Sequence, residues 1–301
     1  MKRTEEELKE GNREILPPFT NLKGVYMKYY FFVSFFITSW VYSTAQQYHP
    51  PFNLSNSDNY KTLDSAYLKV SYKLTYIKDT TESNIKYTDL EVLLIGKHTS
   101  KYFSQQFAEY NQYIKQLYQL HKEVFPSPKG GTLGIEIFKD YNSNKLTVTD
   151  LVTHMDLSFL YKEDFPQINW TILNENQTIS LYPCQKATTT FRGRKYEAWF
   201  TTKIPINNGP WKFGGLPGLI LQISDTQNNF VFECTGIESL RIKEPIKFYP
   251  LEYTELKRED YNQFVKRFHK NIIAYYKALG RWVGSKEKTI IQLPYNPLEK
   301  N

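Results

Sequence analysis

The sequence predicts a mainly β protein of the α+β kind, with a curved antiparallel sheet or half-barrel that carries two amphipathic helices. First, the 24 Tyr and 20 Phe residues stand beside many Asn, Thr and Lys residues, and this composition favours pleated strands with one wet face. Second, apolar and polar side chains alternate between Leu68 and Tyr76, as in a half-buried strand. Third, short strand-like runs follow one another across polar turns, which favours antiparallel pairing.

Residues 27–45, "MKYYFFVSFFITSWVYSTA", have the three parts of a secretory signal peptide. A basic start and a short apolar run precede the small residues Ser43 and Ala45, which predict a cut between Ala45 and Gln46. The alternative is an uncleaved signal anchor, since other residues precede Met27. The apolar run is, however, shorter than the roughly 20 residues that span a bilayer. After cleavage we expect no stable transmembrane span.

The leader predicts an exported protein in the periplasm, at the outer-membrane periphery or outside the cell. Residues 1–26 are highly charged and then contain Pro, so they neither pack nor target, and we interpret them as an extension from a misassigned start. The net charge of +7 is modest and compatible with anionic envelope surfaces. In that compartment nucleic acid is not an expected partner.

Strands are predicted throughout a single domain at residues 60–295, after an extended lead-in at 46–59 and before a tail at 296–301. The runs "AYLKVSYKLTYI" and "YTDLEVLLIG" are predicted to form an opening hairpin. Later, "LILQI" and "FVFECTGI" form another, and the first is apolar on both faces, so it belongs in the sheet interior. Between these two hairpins, further strands are predicted, and turns such as 142–144 and 174–176 separate them. These strands are "TLGIEIFKDY", "KLTVTDLV", "LSFLYK", "INWTIL", "TISLY" and "YEAWFTTKI".

Two segments change to the helical period. At about 101–124, apolar residues recur at steps of three and four, and Pro126 ends the pattern. At about 255–279 a second amphipathic helix is predicted, with Gly280 as the residue that closes it and a row of solvated bases on its other face.

The cysteines and histidines predict no catalytic residue and no metal site. Cys184 and Cys234 permit a disulfide in an oxidising compartment, and closing their loop would add roughly 4 kcal/mol of stability. Two buried free thiols are the alternative. No motif supplies a catalytic base for a cysteine, and no metal or cofactor is predicted, since the histidines have no ligand spacing; they are His49, His98, His121, His154 and His269.

The run "WKFGGLPGLILQISD" contains the most distinctive turn signal. Pro217 presets the second position of a type II turn, and Gly218 is predicted to take the positive φ of its third position. Gly214 and Gly215 are explained by close backbone packing against Trp199 or Trp211. A phosphate loop is excluded, because the lysine precedes the glycines and a strand follows them.

The string "GGLPGLI", with "CQKATTTFRGRKYEAWFTTKIPINNGPW" ahead of it and "LLIGKHTSKYFS" near residue 100, resembles the GLPGLI family of exported proteins from Gram-negative bacteria. This resemblance extends over most of the exported chain and implies secretion; it implies no activity. The residues that match the family pattern are Cys184, Lys186, Ala187, Arg192, Gly193, Arg194, Tyr196, Ala198, Trp199, Gly209, Pro210, Trp211, Gly215, Leu216, Pro217, Gly218, Leu219 and Ile220.

The best candidate for a site is the cluster around this corner. Guanidinium groups suit anions, and indole faces suit apolar or sugar surfaces. The alternative is that the tryptophans belong to the core and that the arginines pair with acids or carbonyls at the sheet edge. The candidate ligand-binding residues are Arg192, Arg194, Trp199, Trp211, Gly215, Pro217 and Gly218.

Two classes of function remain open from sequence. In the first, the protein is a non-enzymatic binding or accessory protein of the envelope, whose concave sheet face takes a lipid-like apolar ligand, a peptide or a partner protein. In the second, it is a secreted hydrolase that acts on peptide or glycan, with Glu197, Asp225 and the arginines gathered in one cleft. No catalytic motif favours the second class, and the sequence names no catalytic residue.

Overall fold

The computed structural model describes residues 59–120, 132–152, 157–278 and 292–300, all within one compact unit, Tyr48–Asn301. The predicted signal peptide, the extension before it and most of the lead-in lie outside the described residues. So do His49, His121, His154 and Gly280. Among the described residues, no helix has both the length and the apolar character that a bilayer crossing requires.

In the part of the chain that the structure describes, twelve strands form one open sheet in the order β12-β6-β5-β4-β3-β2-β1-β11-β10-β9-β8-β7. The mainly β prediction is therefore confirmed, and the sheet does not close into a barrel. All neighbouring strands pair antiparallel except β12, which runs parallel to β6. The strands are β1 (Lys61–Tyr76), β2 (Tyr87–Gly96), β3 (Thr99–Ser104), β4 (Ile135–Asp140), β5 (Lys145–Val152), β6 (Leu157–Asp164), β7 (Thr171–Ile179), β8 (Tyr182–Phe191), β9 (Arg194–Thr201), β10 (Leu219–Asp225), β11 (Phe230–Phe248) and β12 (Thr254–Glu255).

The main core lies on one face of a curved sheet. Tyr161 on β6 and Tyr196 on β9 belong to the same buried cluster, although these strands lie near opposite edges, so the sheet must bend around a shared interior. The connection between β9 and β10, residues 202–218, fills this interior with Trp211, Phe213 and Leu216. Each such side chain contributes roughly 1.5–3 kcal/mol when fully buried. The concave side is therefore occupied by the protein itself.

The predicted opening hairpin is confirmed, because β1 pairs antiparallel with β2 from Ala66 to Tyr76. The predicted interior strand is also confirmed: Leu219, Ile220 and Leu221 on β10 have no exposed surface. The predicted turn at 174–176 is wrong. These residues lie within the edge strand β7, whose register against β8 shifts between Ile172 and Asn176.

The first predicted helix, 101–124, begins too early. Residues 101–104 belong to β3, which pairs with both β2 and β4, and helix α1 covers Gln105–Gln119. Ser104 caps this helix, since its side-chain oxygen accepts a hydrogen bond from Phe107 N at 3.0 Å. Sheet pairing on both sides therefore overrides the helical period before the cap.

The second predicted helix, 255–279, is two helices, α2 (Arg258–Lys270) and α3 (Ile272–Ala278). Asn271 separates them because its extended backbone ends α2, while its side chain accepts a hydrogen bond from Ala274 N at 3.1 Å. Asparagine favours such terminal positions because it competes with the helical backbone for hydrogen bonds. Glu255, the first residue of the prediction, lies in β12.

Candidate functional site

A tight turn between β8 and β9 aims Arg192 at the rim of the interior. Arg192 (φ 45°) and Gly193 (φ 77°) connect the paired residues Phe191 and Arg194, so both central residues have the positive φ of a type I′ hairpin turn. A non-glycine residue in this conformation carries a cost of about 1 kcal/mol or more. The ion pairs of the Arg192 side chain offset this strain.

Arg192 belongs to a buried group of three cations and two carboxylates, here called the ion-pair cluster. Its centre is Lys212, whose side chain has no exposed surface and whose Nζ lies 2.7 Å from Glu163 Oε1 and 2.5 Å from Glu299 Oε1. Lys212 Nζ also donates a hydrogen bond to Tyr161 OH at 2.8 Å. The members of the cluster are Glu163, Arg192, Lys212, Arg258 and Glu299.

The two arginines complete the cluster. Arg192 Nη2 lies 2.5 Å from Glu163 Oε2, and Arg192 Nη1 lies 2.5 Å from Glu299 Oε2. Arg258 Nη1 lies 3.2 Å from the same Glu299 oxygen. The formal charge of the cluster is therefore +1, and without Glu299 it would be +2. This excess of positive charge makes the position of Glu299 a site for a carboxylate.

The electrostatics keep both partners ionised. Burial lowers the pKa of the Lys212 ammonium, although Glu299 and Glu163 oppose this shift. Burial acts to raise the pKa of Glu299, but the Lys212 and Arg192 cations outweigh it, and the pKa is lowered. We assign a charge to both groups, because Glu299 contacts three cations at once.

Glu299 reaches the cluster from an extended segment at 292–300, here called the C-terminal segment. Arg194 holds its main chain: Nε donates to Pro297 O at 3.0 Å, and Nη2 donates to the same oxygen at 2.6 Å. Tyr196 OH donates to Leu298 O at 3.1 Å. Arg194 is itself fixed by a buried ion pair with Asp225, at 3.0 Å. Side chains of β9 thus recognise the carbonyl groups of an extended peptide.

A cleft of about 460 Å³ opens beside the cluster. Glu163, Arg192 and Arg258 line it, together with residues 255–257 ahead of α2. The cleft makes one side of the ion-pair cluster accessible from outside, whereas Lys212 and Leu298 are buried behind it.

The glycine corner differs from its prediction. Gly218 does not have a positive φ, so it is not the third residue of a type II turn; a Cβ there would clash with the main-chain oxygen of Thr201. Pro217 therefore leads into a close approach between two backbones. Gly215 has the positive φ, 90°, and it faces Trp170 rather than Trp199 or Trp211. Gly215 therefore has the positive φ that was predicted for Gly218, and Gly218 has the close backbone approach that was predicted for Gly215.

The predicted site residues are only partly brought together. Arg192 and Arg194 hold the C-terminal segment. Trp211 lies in the core beside Lys212 of the ion-pair cluster, whose Nζ is 5.8 Å from the Trp211 ring centroid. Trp199 lies elsewhere, on β9 beside Lys186 of β8. Glu197, a candidate acid of the hydrolase hypothesis, is in the same outer group, 3.2 Å from Lys186.

A buried lysine that the sequence did not single out holds the corner in place. Lys139 Nζ on β4 donates to Asn208 Oδ1 at 2.7 Å, Gly209 O at 2.9 Å and Phe213 O at 2.9 Å. Burial lowers the pKa of this ammonium to about 7. Asn208 extends the network, since its Nδ2 donates to Tyr141 OH at 2.8 Å. Lys139 thereby connects the loop before the "GGLPGLI" string to strand β4.

Two further sequence predictions concern the cysteines and metal binding. Cys184 and Cys234 are free and buried, and their thiols donate to main-chain oxygens of Tyr182 and Gly236. The disulfide between them stays a prediction. Within the described ranges, no three His, Cys, Asp or Glu side chains are placed to hold a metal ion.

Sequence reasoning missed Glu163, Arg258 and Glu299, which complete the ion-pair cluster. They lie at the end of a strand, at the start of a helix and in the predicted tail, and no local pattern connects them. One signal was available: "WK" at 211–212 places a lysine inside an apolar run. A lysine that is forced into a core needs a carboxylate partner, so it predicts buried acids elsewhere in the chain.

The protein is an open, mostly antiparallel sheet, and Arg192 and Lys212 of the sequence motif belong to its buried ion-pair cluster. A family model, described as a protein of unknown function (Porph_ging), matches residues 192–222. The match begins at Arg192, includes Lys212 and covers the whole "GGLPGLI" string. No curated protein matches the chain.

Solved structures show more distant similarity. Two structures of PNGF-II, in space groups P21 and C2, are 14% identical, with TM-scores of 0.46 and 0.45. They match 69% and 67% of this chain, which spans only 34% and 33% of theirs. An uncharacterized conserved protein from Thermus thermophilus is 9% identical with a TM-score of 0.35, covering 64% of this chain and 91% of its own.

Proposed function

We propose that the chain is an exported envelope protein of the GLPGLI family and that it binds an extended, acidic segment of a partner protein without catalysing a reaction. The family match over residues 192–222 supports the assignment, because it covers the string for which the family is named. The leader at residues 27–45 supports export. The periplasm, the outer-membrane periphery and the exterior are the compartments that this leader allows.

A single observation carries the proposed binding role: motif residues hold an extended peptide. Arg194 and Tyr196 donate hydrogen bonds to its carbonyl groups, and Lys212 and Arg192 bind its carboxylate. Hydrogen bonds that involve a charged donor are about twice as strong as neutral ones, and the guanidinium fork suits planar acceptors. The chemistry of the site is therefore that of a receptor for a peptide with one acidic side chain.

The other candidate ligands fit less well. An apolar or lipid-like ligand would need the concave face, and residues of 202–218 such as Phe213 and Leu216, each 1% exposed, fill it. A hydrolase would need carboxylates with raised pKa values in an open cleft. Burial raises the pKa of Asp89, Glu91 and Asp150, but none of these three carboxyls lines the cleft beside the ion-pair cluster.

Peptide binding is tested with two labelled decapeptides, GSPANPLEGS and GSPANPLQGS, by fluorescence anisotropy. We expect the acidic peptide to bind more tightly, and Arg258→Gln to weaken it about fivefold, since a partly exposed ion pair contributes about 1 kcal/mol. Arg267→Gln removes the same charge from the exposed face of α2 and should leave binding unchanged. Equal binding of both peptides would refute the proposed function.

Export is tested on the full chain expressed in a Gram-negative host. Cleavage of the leader predicts Gln46 as the first residue of protein recovered from the envelope or medium. N-terminal sequencing reads this directly. An intact residue Met1 or Met27 on protein recovered from the cytosol would contradict the proposed compartment.

A further inference from the structure

We propose that the C-terminal segment is an internal ligand, which occupies the peptide site of this protein until a partner segment displaces it. This inference rests on the proposed function and specifies the ligand: an extended chain in which an apolar residue is followed directly by an acidic one. The pattern is that of Leu298 and Glu299, whose side chains are the two that the site buries.

The C-terminal segment is attached to the sheet mainly through side chains. Residues 292–300 form no strand and add nothing to the sheet ladder. Most of the hydrogen bonds between the segment and the sheet are donated by receptor side chains to its oxygens, as for Arg194 and Tyr196. Its main chain donates through Leu293 N to His269 O and through Lys300 N to Arg192 O. Recognition of an acidic motif by clustered cationic side chains is one mode by which a protein binds a separate peptide.

The C-terminal segment is anchored by few buried side chains. Leu298 is 8% exposed and the Glu299 side chain is 8% exposed, whereas Gln292, Pro294 and Tyr295 are exposed. A segment that contributes two buried side chains adds far less to folding than a strand of the sheet does. Its two prolines favour an extended backbone, which lowers the entropy lost on docking.

The charge of the site also favours an exchangeable acidic ligand. Removing Glu299 leaves Arg192, Lys212 and Arg258 around Glu163 alone, so the vacated site would hold a net charge of +2 in a buried setting. Burying unbalanced charge is costly, so the site requires an acidic group from either the segment or a partner. The cleft of about 460 Å³ next to Arg192 and Arg258 gives an incoming carboxylate access to the same cations.

The test compares the full chain with the double variant Leu298→Ser/Glu299→Gln, in which both anchors are lost. The probe is a fluorescein-labelled peptide of residues 292–301, QLPYNPLEKN. If the segment occupies the site about nine-tenths of the time, the variant should bind the probe about tenfold more tightly than the full chain does. The control Lys300→Gln changes an exposed side chain of the same segment and should bind as the full chain does.

Other outcomes separate this inference from the proposed function. Equal affinity of the full chain and the folded double variant, or no binding to either, would overturn the internal ligand. If the variant bound the Glu299→Gln form of the probe as tightly as the original, carboxylate recognition and with it the proposed function would be wrong, whatever the role of the segment.

A second measurement needs no variant. In hydrogen exchange on the full chain, an internal ligand should lose protection at Leu293 and Lys300 when GSPANPLEGS is added in excess, while β8 and β9 keep theirs. Protection that stays equal to that of the strands at saturating peptide would show a fixed part of the fold and would overturn the inference even if the double variant does not fold.

Discussion

Replacing Lys212 by methionine is expected to lower the free energy of unfolding by about 1.5–3 kcal/mol, because Glu163 Oε1 and Glu299 Oε1 lose their buried cation, although Arg192 and Arg258 still balance the two carboxylates. Lys212 is 3% exposed, and its Nζ contacts Glu163 and Glu299 at 2.7 and 2.5 Å. Methionine matches the length of the lysine stem, so the loss reports charge rather than volume. Urea denaturation at pH 7 measures the change.

Lys186→Met is the matched control. Lys186 also contacts two carboxylates, Glu175 at 3.1 Å and Glu197 at 3.2 Å, but both of these are well exposed, at 58% and 42%. Water and salt screen such pairs, so we expect a much smaller change. Equal losses for the two variants would mean that burial of the ion-pair cluster contributes nothing to stability.

The stability of the protein relative to Lys139→Met is expected to rise with pH between about 7 and 10.5. The pKa of the Lys139 ammonium falls from 10.5 to about 7 on burial. Between these values the unfolded chain binds one proton more than the folded chain, so the free energy of unfolding increases with pH. The full effect is on the order of 5 kcal/mol, since one pKa unit corresponds to about 1.4 kcal/mol.

The direction of this pH dependence can be checked by measuring the free energy of unfolding below pH 7 as well as between pH 7 and pH 10. Below about pH 7 both states carry the charge, so the difference between the two proteins should be flat. The variant also leaves the oxygens of Asn208, Gly209 and Phe213 without a donor, which lowers its stability at every pH. A difference that stays constant from pH 6 to pH 10 would show that Lys139 titrates as an exposed lysine does.

The strand pattern was predictable because its signal is local. Alternation in β1, the boundaries of β2 and the apolar run of β10 depend only on which face of the sheet each residue covers. Helix boundaries were less predictable. A period of three and four continues into residues 101–104, and only pairing with β2 and β4 reveals that these residues are strand.

The candidate site was half predictable for a related reason. Arg192, Arg194 and Trp211 lie in one stretch with a turn signal, so the sequence places them together. Their carboxylate partners come from β6 and from the end of the chain, and the pairing of Arg192 with Glu299 is a property of the folded sheet alone. The same limit explains the exchange of roles between Gly215 and Gly218, since close approach to Thr201 depends on tertiary contacts.

A double-mutant cycle between Lys212→Met and Glu299→Gln tests most directly whether the cations of the motif hold the carboxylate of the C-terminal segment. Urea denaturation of the four proteins gives the coupling free energy. We predict a coupling of about 1 kcal/mol, because a segment that is docked about nine-tenths of the time contributes at most about 1.4 kcal/mol to folding. Changes that add within about 0.5 kcal/mol would mean that the two groups do not interact, and the account of the site would be contradicted.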